Sequence, residues 1–211
     1  MVASLDGAAT RSGRSGALGG EADRLVFHAL RELPDAIVAG AATVRAERYR
    51  PPRPRPDGVT PRLVIASASL NLPADLPCLA DESAKQRPLV LTTETSPPSA
   101  RAALSDRAEI LVLEGEQLDP RAALAALADR GIGVVLCEGG PRLLGRFVAA
   151  DVVDEWFLTI AAVAVLGGAG RIAAFHEEVE RRYMLRSVLH HGDDLMLAYE
   201  RAESSEGIRT T

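Results

Sequence analysis

The chain has 211 residues, of which 47% are hydrophobic and 25% charged, and this composition excludes a fibrous or disordered protein. Its formal net charge of −5 offers no basic surface overall, so we do not expect a nucleic-acid partner. Neither an apolar run of membrane-spanning length nor a signal peptide stands out, which predicts a cytoplasmic protein without a membrane partner. The two cysteines, Cys78 and Cys137, and the four histidines show no metal-ligand spacing, and we expect no metal.

The first third of the chain predicts a loop, a helix and a strand in that order. The glycine-rich segment 4–23 is typical of a flexible loop over a site. Apolar residues recur at helical spacing over Glu21–Leu33, and Pro34 ends this helix. A short buried strand, Ala36–Ala39, and a short helix, Ala41–Glu47, follow before a loop rich in proline at 50–61.

The rest of the chain predicts further strands that alternate with helices. Continuous apolar runs suit strands buried on both faces of a parallel sheet, and the last two runs flank a hairpin signal at 191–194. We therefore predict one α/β domain over residues 1–203, with a mostly parallel sheet flanked by helices, an antiparallel C-terminal hairpin and a disordered tail at 204–211. The predicted strands are Arg62–Ser67, Leu89–Thr93, Ile110–Leu113, Val134–Cys137, Trp156–Val165, Tyr183–His190 and Leu195–Glu200, and the predicted helices are Ser99–Leu104, Asp119–Arg130 and Pro141–Ala149.

The most informative segment for chemistry follows the strand that ends at Cys137. Gly139 and Gly140 permit close approach of a ligand, and Pro141 begins a helix whose free N–H groups suit an anion such as a pyrophosphate. A tight turn without a ligand is the alternative. Glu138, directly after a buried strand, must either pair with an arginine or meet a ligand, and both interpretations stay open.

Two other segments carry groups that can bind phosphate. Thr43 and Arg45 begin a short helix, and Ser67 closes the next strand, so all three could meet one phosphate; ordinary helix capping is the alternative. Arg50 and Arg53 lie on the proline-rich loop, where they could bind a substrate phosphate or simply be solvated.

Four blocks of sequence together resemble the reductase domain of the riboflavin-biosynthesis deaminase-reductase family, of which standalone members exist. The blocks are SLDG (4–7), GRSGALGGEAD (13–23), LRELPDAIVAGAATVRAERY (30–49) and CEGGPRLLGRFVAADVVDEWFLTIA (137–161). The resemblance implies a fold like that of dihydrofolate reductase, a homodimer and an NADPH cofactor. The implied reaction reduces the ribosyl group of 5-amino-6-(5-phosphoribosylamino)uracil to a ribityl chain.

The resemblance also implies roles for particular residues. Ser15, Arg31 and Glu138 occupy substrate positions, and either Arg50 or Arg53 matches a second arginine that binds the substrate phosphate. Cofactor contacts are implied at Ala3, Thr43, Glu47, Ser67, Gly140, Pro141, Arg142, Leu143, Leu144, Gly145 and Arg146, and the sequence patterns add Arg45 and Gly139.

Two departures from the family pattern leave the substrate open. Glu47 stands where the bifunctional enzymes have an aspartate, and Ala17 replaces a tryptophan. The alternatives are a reductase of a pterin, dihydrofolate-like or other carbonyl substrate, and a non-catalytic NADPH-binding protein. Glu138 and Glu47 are the candidate catalytic carboxylates, and the proton for the reduced centre could come from water, Glu47 or Asp6.

Overall fold

A computed structural model describes residues 1–81 and 86–202 of the chain, so the predicted tail at 204–211 lies outside the described residues. Strands and helices alternate through most of this length, as predicted. The strands are β1 (Val2–Ser4), β2 (Ala36–Gly40), β3 (Arg62–Ala66), β4 (Leu89–Thr93), β5 (Glu109–Leu113), β6 (Val135–Cys137), β7 (Glu155–Ala161), β8 (Tyr183–His191) and β9 (Asp194–Arg201). The helices are α1 (Glu21–Leu30), α2 (Ala41–Ala46), α3 (Pro77–Ala80), α4 (Pro98–Leu104), α5 (Pro120–Ala128) and α6 (Pro141–Ala149), with a 3₁₀ turn at Ser15–Ala17.

Five strands form a parallel sheet in the order β5–β4–β3–β2–β6. Successive side chains of a strand point to opposite faces, and β3 shows how this builds two cores. Leu63 and Ile65 pack with Val44 of α2 on one face, whereas Val64 packs with Leu127 of α5 on the other. The sheet is therefore covered on both sides, which explains why its strands are almost purely apolar.

The other four strands form a second sheet in the order β1–β7–β9–β8. β1 runs parallel to β7, and β9 runs antiparallel to both of its neighbours. β8 and β9 are joined by Gly192 and Asp193, so the predicted C-terminal hairpin is confirmed. The predicted α/β class is confirmed as well, with the hydrogen bonds dividing the strands between two sheets.

Three local predictions are corrected by the structure. The opening segment is not simply a loop, because Ser4 belongs to β1 and Ala8, Ala9 and Leu18 are buried. β7 ends at Ala161 rather than Val165, since Ala161 pairs with the last residue of β1 and the chain then leaves the sheet.

The helix α1 also differs from its prediction, in length and in burial. It ends at Leu30 rather than Leu33, since Pro34 disfavours the helical conformation of Leu33 and the chain leaves the helix before that residue. No residue of α1 is buried, and Leu25 is 65% exposed. The spacing of its apolar residues identified an apolar side, and that side is only partly covered in the single chain, where Val26 and Leu30 are half-buried.

No helix within the two described stretches of the chain has both the length and the apolar character needed to cross a membrane.

Candidate active site

The candidate active site lies at the carboxyl edge of the parallel sheet, where β2 has β3 on one side and β6 on the other. Parallel strands end at the same edge, so the chain brings together the start of α2 and the start of α6. The backbones of the two turns are bonded directly, with the Gly40 N–H donating to the Gly139 carbonyl at 2.7 Å. Segments about one hundred residues apart in sequence thus form one surface.

Glycine is needed at this junction for space. A Cβ on Gly140 would lie 2.5 Å from Thr43 Oγ1, whereas one on Gly40 would make an ordinary contact with the Gly140 nitrogen at 3.4 Å. Gly139 has a φ of +81°, a conformation that other residues rarely adopt, and the Gly139–Gly140 peptide bond is cis. Pro141 then begins α6, and no side chain caps its first turn. The first N–H groups of α6 are left available to an anion.

Glu138 is the first residue after β6, and its side chain is only 4% exposed. Its Oε1 accepts a hydrogen bond from Arg31 Nε at 2.6 Å, and its Oε2 accepts from Arg31 Nη2 at 2.7 Å. The Tyr49 hydroxyl also donates to Oε2, at 2.7 Å. A carboxylate has about four lone-pair positions, so one position on Oε1 is left for a ligand. The structure therefore shows the arginine pairing and, among the described residues, leaves one acceptor position of Oε1 without a partner.

Arg31 follows the last residue of α1 and directs its guanidinium towards Glu138. The cation lies 4.5 Å from the ring centre of Phe27 and 5.5 Å from that of Tyr49, close enough for cation–π attraction. Burial alone lowers the pKa of Arg31, but the hydrogen bonds and negative charge of Glu138 outweigh it and raise that pKa above its usual value.

One side of the Arg31 guanidinium is still available. The pair with Glu138 uses Nε and one N–H of Nη2, and Nη1 makes no hydrogen bond to a described residue. Nη1 and the second N–H of Nη2 form another fork, which matches a phosphate or carboxylate. With its side chain 28% exposed, Arg31 can hold Glu138 and a ligand together.

Tyr49 and Phe27 are site residues that the sequence patterns did not single out. Tyr49 lies within the block that resembles the family, yet neither periodicity nor motif distinguishes it from a core aromatic residue. Its contact with Glu138 joins positions 89 residues apart, and only the folded chain reveals such a contact.

The structure also joins Ser15 and Glu47, which the sequence assigned to substrate and cofactor respectively. The backbone N–H and the hydroxyl of Ser15 both donate to Glu47 Oε1, each at 3.1 Å. Glu47 follows the last residue of α2, so this contact fastens the 3₁₀ turn of the glycine-rich segment beside the sheet edge.

The Asp6 carboxylate accepts hydrogen bonds that link the end of β1 to the segment that follows β7. The donors are the Ser4 hydroxyl and the N–H groups of Val165 and Leu166. These hydrogen bonds, that from Ser4 above all, lower the pKa of Asp6 to about 2. The lowered pKa disfavours Asp6 among the three proton sources considered from the sequence.

The arginines of the proline-rich loop fall into two groups. Arg55 donates to the Pro34 carbonyl at 3.2 Å and pairs with Asp57 at 3.0 Å, so it holds the loop in place. Arg50 and Arg53 are exposed and form no ion pair or hydrogen bond with any residue in the described part of the chain. Of the three, they are the ones available to an external anion.

The remaining predicted cofactor residues have different surroundings. Arg45 donates to the Asn71 carbonyl at 2.6 Å, and the buried Ser67 hydroxyl accepts from the Leu70 N–H at 3.0 Å. Arg146 is bound to Gln117 at 2.7 Å, and Arg142 is exposed without a partner among residues 1–81 and 86–202. Ala3, Leu143, Leu144 and Gly145 are buried in the structure.

Neither cysteine has the character of a nucleophile. Burial raises the pKa of both Cys78 and Cys137 to about 11, so both thiols stay protonated at neutral pH. The described residues contain no cluster of histidine, cysteine and acidic side chains suited to a metal ion.

Comparison with solved structures identifies the class of fold. A pyrimidine reductase-like protein from Corynebacterium diphtheriae superposes with a TM-score of 0.85 at 24% identity, over 96% of this chain and 90% of that one. A dihydrofolate reductase from Enterococcus faecalis, solved with NADP(H), gives a TM-score of 0.55 at 14% identity over 96% and 94% of the two chains. The fold is that of the dihydrofolate reductase-like proteins, as predicted.

The sequence comparisons place the chain more closely. Residues 1–197 match the RibD C-terminal domain family, and the chain belongs to that family. It is 30% identical to the 2,5-diamino-6-ribosylamino-4(3H)-pyrimidinone 5′-phosphate reductase of Methanothermobacter thermautotrophicus, over 92% of this chain and 93% of the relative. It is 32% identical to the riboflavin biosynthesis protein RibD of Mycobacterium tuberculosis over 92% of its length, but spans only 51% of that relative.

Proposed function

We propose that this protein is an NADPH-dependent reductase of a phosphoribosylamino-pyrimidine, acting in riboflavin biosynthesis in the cytoplasm. The observation that carries the proposal is the Arg31–Glu138 pair, which offers a free N–H fork and a free acceptor next to the start of α6. A protein that only bound the cofactor would not need this second set of groups. Its relatives in the RibD family support the same reaction class.

The sheet edge fits a dinucleotide cofactor. The glycines at the start of α6 leave the backbone open, and Arg142 extends from the first turn of α6 without a partner in the described residues. We propose that this turn and Arg142 hold the pyrophosphate. Thr43, Arg45 and Ser67 then offer two hydroxyls and a cation to the 2′-phosphate that distinguishes NADPH from NADH.

The substrate would be held by groups that the structure leaves available. The free fork of Arg31 suits the substrate 5′-phosphate, and Arg50 and Arg53 can reach an anion from the loop. Glu138 accepts one N–H or O–H donor of the substrate through Oε1. The link between Ser15 and Glu47 keeps the glycine-rich segment closed over this face.

When bound, NADPH supplies the hydride for the reduction. The carboxylates of the site act as acceptors, since Glu138 receives three hydrogen bonds and Glu47 two. We therefore propose that water supplies the accompanying proton, while Glu138 and Glu47 fix the substrate and the loop.

A second substrate is favoured by one of the relatives. The archaeal reductase that aligns over 93% of its length reduces the 2,5-diamino pyrimidinone, which carries an amino group where the aminouracil carries an oxo group. Since the two compounds share the phosphoribosyl group that is reduced, either can enter the same site. The substrate is therefore one of these two phosphoribosylamino-pyrimidines, and an experiment distinguishes them.

The test measures NADPH oxidation with three compounds side by side, the aminouracil phosphate, the diamino pyrimidinone phosphate and dihydrofolate, and without any acceptor as a control. We expect turnover with at least one of the two pyrimidines, and at least a tenfold preference for NADPH over NADH, about 1.4 kcal/mol. Turnover with dihydrofolate alone would contradict the assigned substrate class. Equal affinity for the two cofactors in a fluorescence titration would contradict the cofactor assignment.

A further inference from the structure

Tyr49 is held rigidly between the hydrophobic core and the candidate site. Its backbone N–H donates to the Val44 carbonyl at 3.1 Å, and its own carbonyl accepts from the Cys78 N–H at 3.0 Å. The ring packs against the core cluster that contains Val44 and Leu63. Because backbone and ring are both fixed, the hydroxyl has one defined position.

That hydroxyl is a permanent donor to Glu138. Burial, followed by the negative charge of Glu138, raises the pKa of Tyr49, so the phenol keeps its proton at every pH at which the protein is expected to work. The O–H is 2.7 Å from Glu138 Oε2, the same oxygen that accepts from Arg31 Nη2. Oε2 thus has both lone pairs occupied, while Oε1 has only one.

We propose that Tyr49 is a positioning residue that fixes the Glu138 carboxylate and leaves Oε1 as the single acceptor for the substrate. This inference rests on the proposed function. Arg31 alone would hold the carboxylate along one edge, with one lone pair open on each oxygen. The tyrosine closes the Oε2 side, so the substrate donor meets one oxygen in one direction.

The test begins with Tyr49→Phe, which keeps the ring against the core and beside the guanidinium but removes the hydroxyl. We expect kcat/KM for the pyrimidine substrate to fall about tenfold, the loss typical of one hydrogen bond to a charged group, with unchanged NADPH affinity. The control is Tyr183→Phe, since the Tyr183 hydroxyl is buried without a hydrogen-bond partner among the described residues and its ring packs on Trp156.

A double-mutant cycle with Glu138→Gln separates positioning from a general structural effect. If Tyr49 acts through Glu138, Tyr49→Phe costs less than twofold once the carboxylate has been replaced. The same tenfold loss in both backgrounds, or no loss in the wild-type background, overturns the inference. Unfolding midpoints of all variants are measured alongside.

The same double-mutant cycle is then repeated with binding as the measured quantity. Calorimetry without NADPH gives the affinity of each variant for the pyrimidine phosphate. Wild-type protein that binds the pyrimidine but does not reduce it contradicts the proposed function, while coupling between positions 49 and 138 in binding still supports the inference. Turnover without coupling between the two positions supports the proposed function and overturns the inference about Tyr49. Binding without coupling also overturns that inference.

Discussion

The Arg31 guanidinium has two edges, and we propose that each of them binds a different partner. The edge formed by Nε and Nη2 neutralises the buried Glu138, and the edge formed by Nη1 and Nη2 is left for a substrate phosphate. Replacement by alanine would remove both contacts at once and would also leave the buried Glu138 carboxylate without its counter-charge. The two effects on activity could then not be distinguished. A lysine keeps the counter-charge for Glu138 but has no planar fork, so it tests the forked contacts without leaving the buried carboxylate uncompensated.

For Arg31→Lys we therefore expect a loss of about 10- to 100-fold in kcat/KM with the phosphorylated pyrimidine, the cost of a lost charged hydrogen bond. NADPH affinity should not change. The variant should also lose most of the preference for phosphorylated over dephosphorylated substrate. Arg24→Lys is the matched control, since Arg24 is an exposed arginine of α1 whose side chain, among the described residues, donates only to the Gly19 carbonyl. A wild-type preference in the Arg31 variant would show that the phosphate is bound elsewhere.

Some site residues were predictable from the sequence because their signals are local. The Gly139–Gly140 turn and the start of α6 follow from glycine and proline chemistry within a few positions. For Glu138 the sequence left two interpretations, and the folded chain was needed to show that an arginine 107 residues away pairs with it. Tyr49 gave no local signal at all, since its role depends on that same long-range approach.

Helices whose ends are marked by a proline or a capping residue were predicted closely. The helix α6 spans Pro141–Ala149 as predicted, and α5 has Asp119 as its cap, with the side chain accepting from the Arg121 N–H at 2.9 Å. The strand β1, by contrast, has only three residues and exists through its pairing with β7, about 157 positions along the chain. Such a strand has too little pattern of its own to be recognised before its partner is known.

The helix α6 has a second constraint besides its open first turn. Gly145 lies on its buried side, where a Cβ would overlap the backbone of Ala174, and the Ala174 N–H donates to the Pro141 carbonyl at 2.9 Å. Gly145 is therefore explained by packing against residues that follow β7.

Gly145→Ala should accordingly lower the free energy of unfolding by about 1–3 kcal/mol, the usual cost of an overpacked position. Chemical denaturation followed by circular dichroism measures this directly. Gly168→Ala is the matched control, because a Cβ there meets nothing within 4 Å and the φ of Gly168 is not positive. Equal stability of the two variants would show that the segment around Ala174 yields without cost.

At the scale of the whole molecule, the edge strand β8 of the second sheet is left exposed in a single chain. β8 pairs only with β9 within the described residues, and its side chains are exposed on both faces. Val188 and Leu189, which point to opposite faces, are 51% and 58% exposed. A long edge strand with apolar residues on both faces is a template for pairing with another chain.

We therefore expect a homodimer that buries β8. Light scattering at micromolar protein concentration should give twice the mass of the 22.3 kDa chain. Leu189→Glu places a charge in the centre of the apolar strand and should yield monomers, whereas Val59→Glu, at an equally accessible loop position, should leave the dimer intact. A monomeric wild-type protein would refute the expectation. A Leu189→Glu variant that stays dimeric would place the interface outside β8, because a charge buried at the centre of that strand would disrupt any contact made there.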